Sequence, residues 1–466
     1  MQRTILNMQH RRSSPVFAYL CLITLATLFV SSLSFAQSAS PRPPATRSRA
    51  EIIDLRIREE QARVARDPTY WDSYDRLASA YAQKARETGD ISYFQLAEAA
   101  LDQSLKLEST HREAAPAYTQ LATVHLAEHR FREAGEDAEK AIALTPDNLI
   151  AYPYAGDAEL EIGNYQEAHA FYAHLIAPND DRPHPELNFL LASHGAGLDW
   201  IEGRIPQATD DLTRAIELAR EIHLPAENVA WTEFMLGEQF FLAGDLAAAE
   251  KYETASLIDF PRYHRALAAM GQVRAAQGRY PEAIDFYRRA IAIIPLPLYV
   301  AALADIYTAN NDPADAKKQF ALVEYIGKLS AINQQVFNRE LALFYADHDI
   351  ELPTALTLAE KELEVRHDVY TSDALAWAYL KNNSLPDART NSERALRLGT
   401  QDAMMQYHAG MIYLALGDRA KTIAHLQRAL AINPHFHVLF APQAVKTLAS
   451  LELHPAPPST GATPTK

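Results

Sequence analysis

From about residue 50 to residue 453 the chain alternates stretches in which apolar residues recur every three or four positions with short breaks of Gly, Asn, Asp or Pro. That period places the apolar side chains on one face of a helix, and the breaks read as turns between helices. A shift of 34 residues superimposes two neighbouring stretches: Gly237 on Gly271, Gly244 on Gly278, Ala249 on Ala283, Ser256 on Ala290 and Pro261 on Pro295. The repeating unit is therefore a helical hairpin, and hairpins at fixed spacing stack. Small residues stand where two helices must approach closely, and proline ends the second helix by removing a backbone donor. The pattern predicts an all-α fold, an α-solenoid superhelix of about ten hairpins over residues 68–435. A leading helix over 50–67 and a capping helix over 436–453 are expected to cover its ends, the latter through Val438, Leu439, Val445, Leu448 and Leu451.

The clearest unit carries Met270-Gly271, Gly278-Arg279-Tyr280 at its turn, then Ala283, Tyr287, Ala290 and Pro295. Its upstream neighbour carries Leu236-Gly237, Phe240, Gly244-Asp245, Ala249, Ser256 and Pro261, and a C-terminal unit has Gly410, Tyr413, Gly417-Asp418, Ala429 and Pro434. Near the N-terminus the same places hold Leu121-Ala122, Ala134, Ala141 and Pro146, followed by Gly156, Gly163-Asn164-Tyr165, Ala168 and Tyr172. This arrangement resembles the tetratricopeptide repeat, with Arg274, Glu159 and Thr422 as departures at individual positions. The resemblance implies a scaffold that binds a partner polypeptide in a concave groove lined by the first helix of each hairpin.

Residues 1–36 read as an export signal. Arg3, Arg11 and Arg12 precede an apolar run from Val16 to Val30, and Ser34-Phe35-Ala36 offers small residues for cleavage after Ala36. A retained membrane anchor is the competing reading, because a run of this length is just enough to span a bilayer. Residues 37–49 (Pro, Ser and Arg) read as a disordered linker and 454–466 as a disordered tail. The single cysteine, Cys21, lies within the signal, so the mature chain has no thiol chemistry. An exported chain of this kind is expected in a bacterial-type periplasm or outside the cell.

The 44 basic and 59 acidic residues give a net charge of −15, and removing the signal leaves −18. No helical segment carries a basic stripe, which disfavours nucleic acid and anionic membranes as partners and favours apolar or basic polypeptides. One catalytic-looking motif is present, His125-Leu126-Ala127-Glu128-His129, which matches the H-x-x-E-H pattern of inverted zinc proteases and opens the alternative of a metal-dependent hydrolase. The bland reading is favoured, because His125 stands where the repeat places its packing aromatic and His129 where the turn begins. His435-Phe436-His437 lacks a clear carboxylate or Cys partner for a metal. No catalytic residue, cofactor or metal site is therefore expected. A third reading is a structural subunit of an envelope assembly or export complex.

Transferred to this chain, the groove stripe of the resemblance includes Trp231, Phe234, Glu238 and Phe241 on one helix, spaced three or four apart. Trp200, Trp377, Tyr407 and Met411 hold related places on other first helices, and these eight residues are the expected partner contacts. Their alternative fate is burial against the neighbouring first helix in a tightly wound spiral. The Lys, Asn and Arg clamp with which chaperone-binding members hold a terminal carboxylate is replaced by Asp75, Ser79, Thr119 and Thr123.

Overall fold

The computed structural model describes residues 49–176, 184–332 and 338–453. The expected signal, linker and C-terminal tail lie outside these, apart from Arg49 at the end of the linker. Among the described residues no strand is found and the helices form a stack of antiparallel pairs. Helix α1 (Arg49–Arg66) is followed by ten hairpins, counted here from the N-terminus. They are α2/α3 (Trp71–Thr88, Ser92–Leu107), α4/α5 (Ala115–Ala127, Phe131–Leu144), α6/α7 (Tyr152–Ile162, Tyr165–Ala173), α8/α9 (Pro185–Ile201, Ile205–Glu221) and α10/α11 (Ala226–Leu242, Leu246–Asp259). Then come α12/α13 (His264–Ala276, Tyr280–Ile293), α14/α15 (Pro297–Ala309, Pro313–Ile332), α16/α17 (Asn338–Asp347, Leu352–Val365), α18/α19 (Val369–Lys381, Leu385–Ala395) and α20/α21 (Ala403–Ala415, Arg419–Ile432). Helix α22 (Phe440–Leu453) follows.

The repeat signature maps onto the crossing within each pair. A Cβ on Gly271 would meet the Tyr287 ring at 2.6 Å, and one on Gly410 would meet Leu426 at 2.6 Å, so glycine is what lets the second helix seat a large side chain there. Proline follows the second helix by two residues at Pro146, Pro261, Pro295 and Pro434. Several helices start on an aspartate cap: Asp245, Asp402 and Asp418 accept from the backbone N–H of Ala248, Met405 and Lys421. The departures have local partners. Arg274 donates to Glu250 at 2.7 Å, and the buried Thr422 hydroxyl donates to the Asp418 carbonyl at 2.8 Å.

Successive turns of the superhelix touch one another, and they do so in a fixed register. The turn inside hairpin 3 meets the link after hairpin 8: His367 N–H donates to the Ile162 carbonyl at 2.8 Å, Val369 N–H to the Tyr165 hydroxyl at 3.0 Å, and Arg366 pairs with Glu161 at 2.7 Å. Hairpin 4 meets the link after hairpin 9, where the Thr400 hydroxyl donates to the Ile201 carbonyl. Hairpin 5 meets the link after hairpin 10, where Asn433 Nδ2 donates to the Phe241 carbonyl at 2.8 Å. Gly89 in hairpin 1 packs on Ile294 in the link after hairpin 6. Each of these four contacts joins one hairpin to the link five units later, and Arg132 of hairpin 2 donating to the Glu364 carbonyl of hairpin 8 lies close to the same register. The core runs along the helix stack, and this second set of contacts closes its turns on each other.

Candidate functional site

Tight winding changes what the first helices can present. Trp200 is 4% exposed, Phe234 6%, Phe241 3%, Trp377 2% and Tyr407 1%, so these five expected contacts offer almost no side-chain surface. Phe234 packs edge-on against Tyr263 with ring centres 6.0 Å apart, and Phe241 lies with Ala249 and Val273. The physical reason is the small advance per hairpin, which presses each first helix onto its neighbours and turns the second apolar stripe into core. Trp231 and Glu238 remain half-buried on α10. Burial raises the Glu238 pKa, with Arg265 acting in the opposite sense.

Trp377, Tyr407 and Met411 are brought together. They line a cavity of about 350 Å³ with Asp347, Asp349, Leu380, Lys381, Leu414, Ala415, Phe440 and Gln443. Four helices supply these residues or their end caps: α16, α18, α20 and α22. The floor is aromatic and rigid. Trp377 and Tyr407 are almost fully buried, Tyr407 stacks on Phe440 at 5.2 Å, and the Trp377 ring lies on His408 at 4.2 Å and 17°. Trp377 Nε1 donates to Asp347 Oδ1 at 2.8 Å, and the Lys381 ammonium sits 4.9 Å above the indole while pairing with Asp349 at 2.8 Å. Partly buried Leu380, Met411 and Leu414 form the apolar wall.

Behind the floor, His408 Nδ1 lies 2.8 Å from Asp373 Oδ2. Burial opposes charge on this imidazole, but Asp373, aided by Asp347 and Asp402, outweighs it and raises its pKa. Burial also raises the Asp347 pKa, against the combined pull of His408, His437 and His348. Asp157 with His194 (2.7 Å) and Asp305 with His348 (3.3 Å) repeat the carboxylate-to-imidazole contact between first helices of adjacent hairpins.

The residues that sequence reasoning missed here are Asp347, Asp349, Lys381, Phe440 and Gln443. Asp347 and Asp349 flank the turn of a degenerate repeat, where no signature residue marks the register. The capping helix docks through Phe440, Ala441 and Ala444, whereas Val445, one of the residues expected to cover the last hairpin, is 55% exposed.

The zinc-protease pattern has a structural explanation. His125 is buried with Nδ1 2.9 Å from Asp137 and Nε2 3.2 Å from Glu98, so both ring nitrogens face carboxylates. His129 occupies the left-handed turn position at φ 60° and stacks on Phe131. Among the described residues no group of three or more His, Cys, Asp or Glu is placed to hold a metal ion, and no helix is long and apolar enough to cross a membrane.

A family model described as the tetratricopeptide repeat matches residues 119–183, 234–296 and 374–435, the last of which spans most of the pocket. The chain is a tetratricopeptide repeat protein. Repeats of this kind make it a protein-interaction scaffold. Solved structures similar to it include the APC/C Cut9–Hcn1 heterotetramer, 15% identical, covering 86% of this chain and 96% of that one at a TM-score of 0.32. Yeast Tom70 is 14% identical over 81% of this chain and 96% of its own, TM-score 0.31. PilW, a type IV pilus biogenesis factor, is 17% identical over 45% of this tetratricopeptide repeat chain and 92% of its own, TM-score 0.38. A search of curated proteins returned no match.

Proposed function

We propose that this chain is an exported scaffold that seats an apolar or basic polypeptide segment in the pocket of its last three hairpins and carries out no chemistry of its own. The observation that carries the reading is the pocket itself: first helices from successive units and the capping helix converge on about 350 Å³ of space with a preformed aromatic floor. Its floor does not need to reorganise to receive a side chain, which lowers the entropic cost of binding. The acidic balance of the chain favours basic segments. The engaged nitrogens of His125 weigh against the hydrolase alternative.

A photocrosslinking amino acid at Leu414, on the pocket wall, tests the site against the same group at Arg289 on an outer helix. The reading expects one partner segment crosslinked from position 414 alone, and loss of that product when Met411→Trp fills the pocket. Equal products from both positions, or an insensitivity to Met411→Trp, contradict it. Export is tested by fractionation with sequencing of the mature N-terminus, for which the expected first residue is Gln37.

A further inference from the structure

One carboxylate of the pocket wall has no cation in direct contact among the described residues, although the His408, His437 and His348 imidazoles act on it from farther off. Asp347 directs one oxygen to the Trp377 indole N–H, and no second hydrogen bond or ion pair engages its carboxylate among the described residues. Among the described residues the one cation lining the pocket, Lys381, is held by Asp349 and by the Trp377 ring. A half-buried carboxylate without a cation is costly, and its pKa is raised accordingly, with burial as the leading cause. Next to it, Leu380, Met411 and Leu414 make an apolar wall that suits the aliphatic stem of a long basic side chain. Lys381 already shows that an ammonium is accommodated at the rim, between an aspartate and the indole.

We infer that the pocket selects a polypeptide segment presenting an arginine or lysine beside an apolar residue, with the cationic head against Asp347 and the stem along Met411 and Leu414. This rests on the reading of the pocket as the partner site. Arginine is preferred, because its planar fork can give two hydrogen bonds to one carboxylate edge while its weaker hydration eases burial.

The test uses the full chain and coumarin-labelled peptides of the frame Gly-Leu-X-Leu-Gly, with X as Arg, Lys, Gln, Leu or Glu, read by fluorescence anisotropy. Hydrogen bonds to a charged group lead to an expectation of about tenfold or more tighter binding for Arg over Gln. Asp347→Asn keeps an acceptor for the indole and should cut that preference to about twofold or less. Asp285→Asn removes the same charge from an exposed position and should leave the preference intact. Equal binding of the Arg and Gln peptides overturns the inference but leaves the pocket reading standing, provided Met411→Trp abolishes both. Equal effects of Asp347→Asn and Asp285→Asn also overturn it, by reducing the preference to bulk charge. Failure of every peptide to bind overturns the inference and the pocket reading together.

Discussion

Gly203→Ala and Gly417→Ala form a matched pair that isolates the contact between superhelical turns. Both glycines occupy the turn inside a hairpin with nearly equal dihedrals, φ 74° and 76°. Alanine in this left-handed region costs roughly 1–2 kcal/mol at either site. Around Gly417 nothing lies within 4 Å of an added Cβ, so that cost should be the whole effect. At Gly203 the new methyl would lie 2.6 Å from the Gly399 carbonyl oxygen, whereas ordinary contact begins at 3.4 Å, so the two turns must part by about 0.8 Å. Overpacking of that kind adds about 1–3 kcal/mol. It also strains the adjacent bond from the Thr400 hydroxyl to the Ile201 carbonyl. Because solenoids unfold through coupled neighbours, the assay should be local as well as global. Urea unfolding should show Gly203→Ala as the more damaging change, and hydrogen exchange should rise in peptides spanning 396–405 for that variant alone. Equal destabilisation by both variants, with unchanged exchange at 396–405, would refute the claim that the turns bear on each other.

Two further substitutions probe buried carboxylates. Asp75 is 5% exposed, and its pKa is pushed up to about 6, chiefly by burial, with the nearby Ser104 acting in the opposite sense. A raised folded pKa means that stability falls as pH rises from about 4 to about 6, by roughly 3 kcal/mol for a shift of this size. Asp75→Asn should therefore stabilise the protein at pH 7.5 and have little effect near pH 4, measured by denaturant titration at both. Glu253 stands opposite Gly237 in the place that Tyr287 fills opposite Gly271, and among the described residues neither of its carboxylate oxygens has a hydrogen-bond partner. Burial, with Glu238 and Glu233 nearby, raises its pKa well above the ordinary value. Replacing it with leucine, the residue opposite Gly410, should raise the thermal midpoint at pH 7.5, since an unsatisfied buried polar group costs about 1–3 kcal/mol. A lowered midpoint would show that the carboxylate is compensated.

The hairpins and their crossings were legible because they depend on side-chain type at fixed spacing. Gly271 opposite Tyr287 and Pro295 past the helix end are local choices with local causes. The closure of one turn onto another was not legible, because nearly all of its hydrogen bonds end on a backbone carbonyl or amide, which any residue supplies. The Ile162 carbonyl meeting His367 N–H carries no residue signature and spans about six repeats of sequence. That closure explains the mixed fate of the groove stripe. Trp200, Phe234 and Phe241 sit where first helices press together, whereas Trp377, Tyr407 and Met411 lie near the end of the stack, where α22 packs alongside and leaves a cavity. Periodicity identifies a second apolar face but not what lies against it. The sequence expectation named Trp377, Tyr407 and Met411, which share one cavity wall, and was silent about Asp347, whose place depends on how hairpin 8 sits against hairpin 9.

The central claim, that successive turns five to six hairpins apart are in contact, is tested most directly by a distance. The described residues contain no cysteine, so with Cys21 replaced by serine spin labels can be placed at Arg132→Cys and Glu364→Cys, two exposed positions joined by an Arg132 bond of 3.2 Å to the Glu364 carbonyl. Pulsed electron resonance should give a narrow distribution at about 10–25 Å, set by the length of two label side chains. An unwound stack advancing about 10 Å per hairpin would place the labels on the order of 60 Å apart, and a distribution centred there would contradict the account.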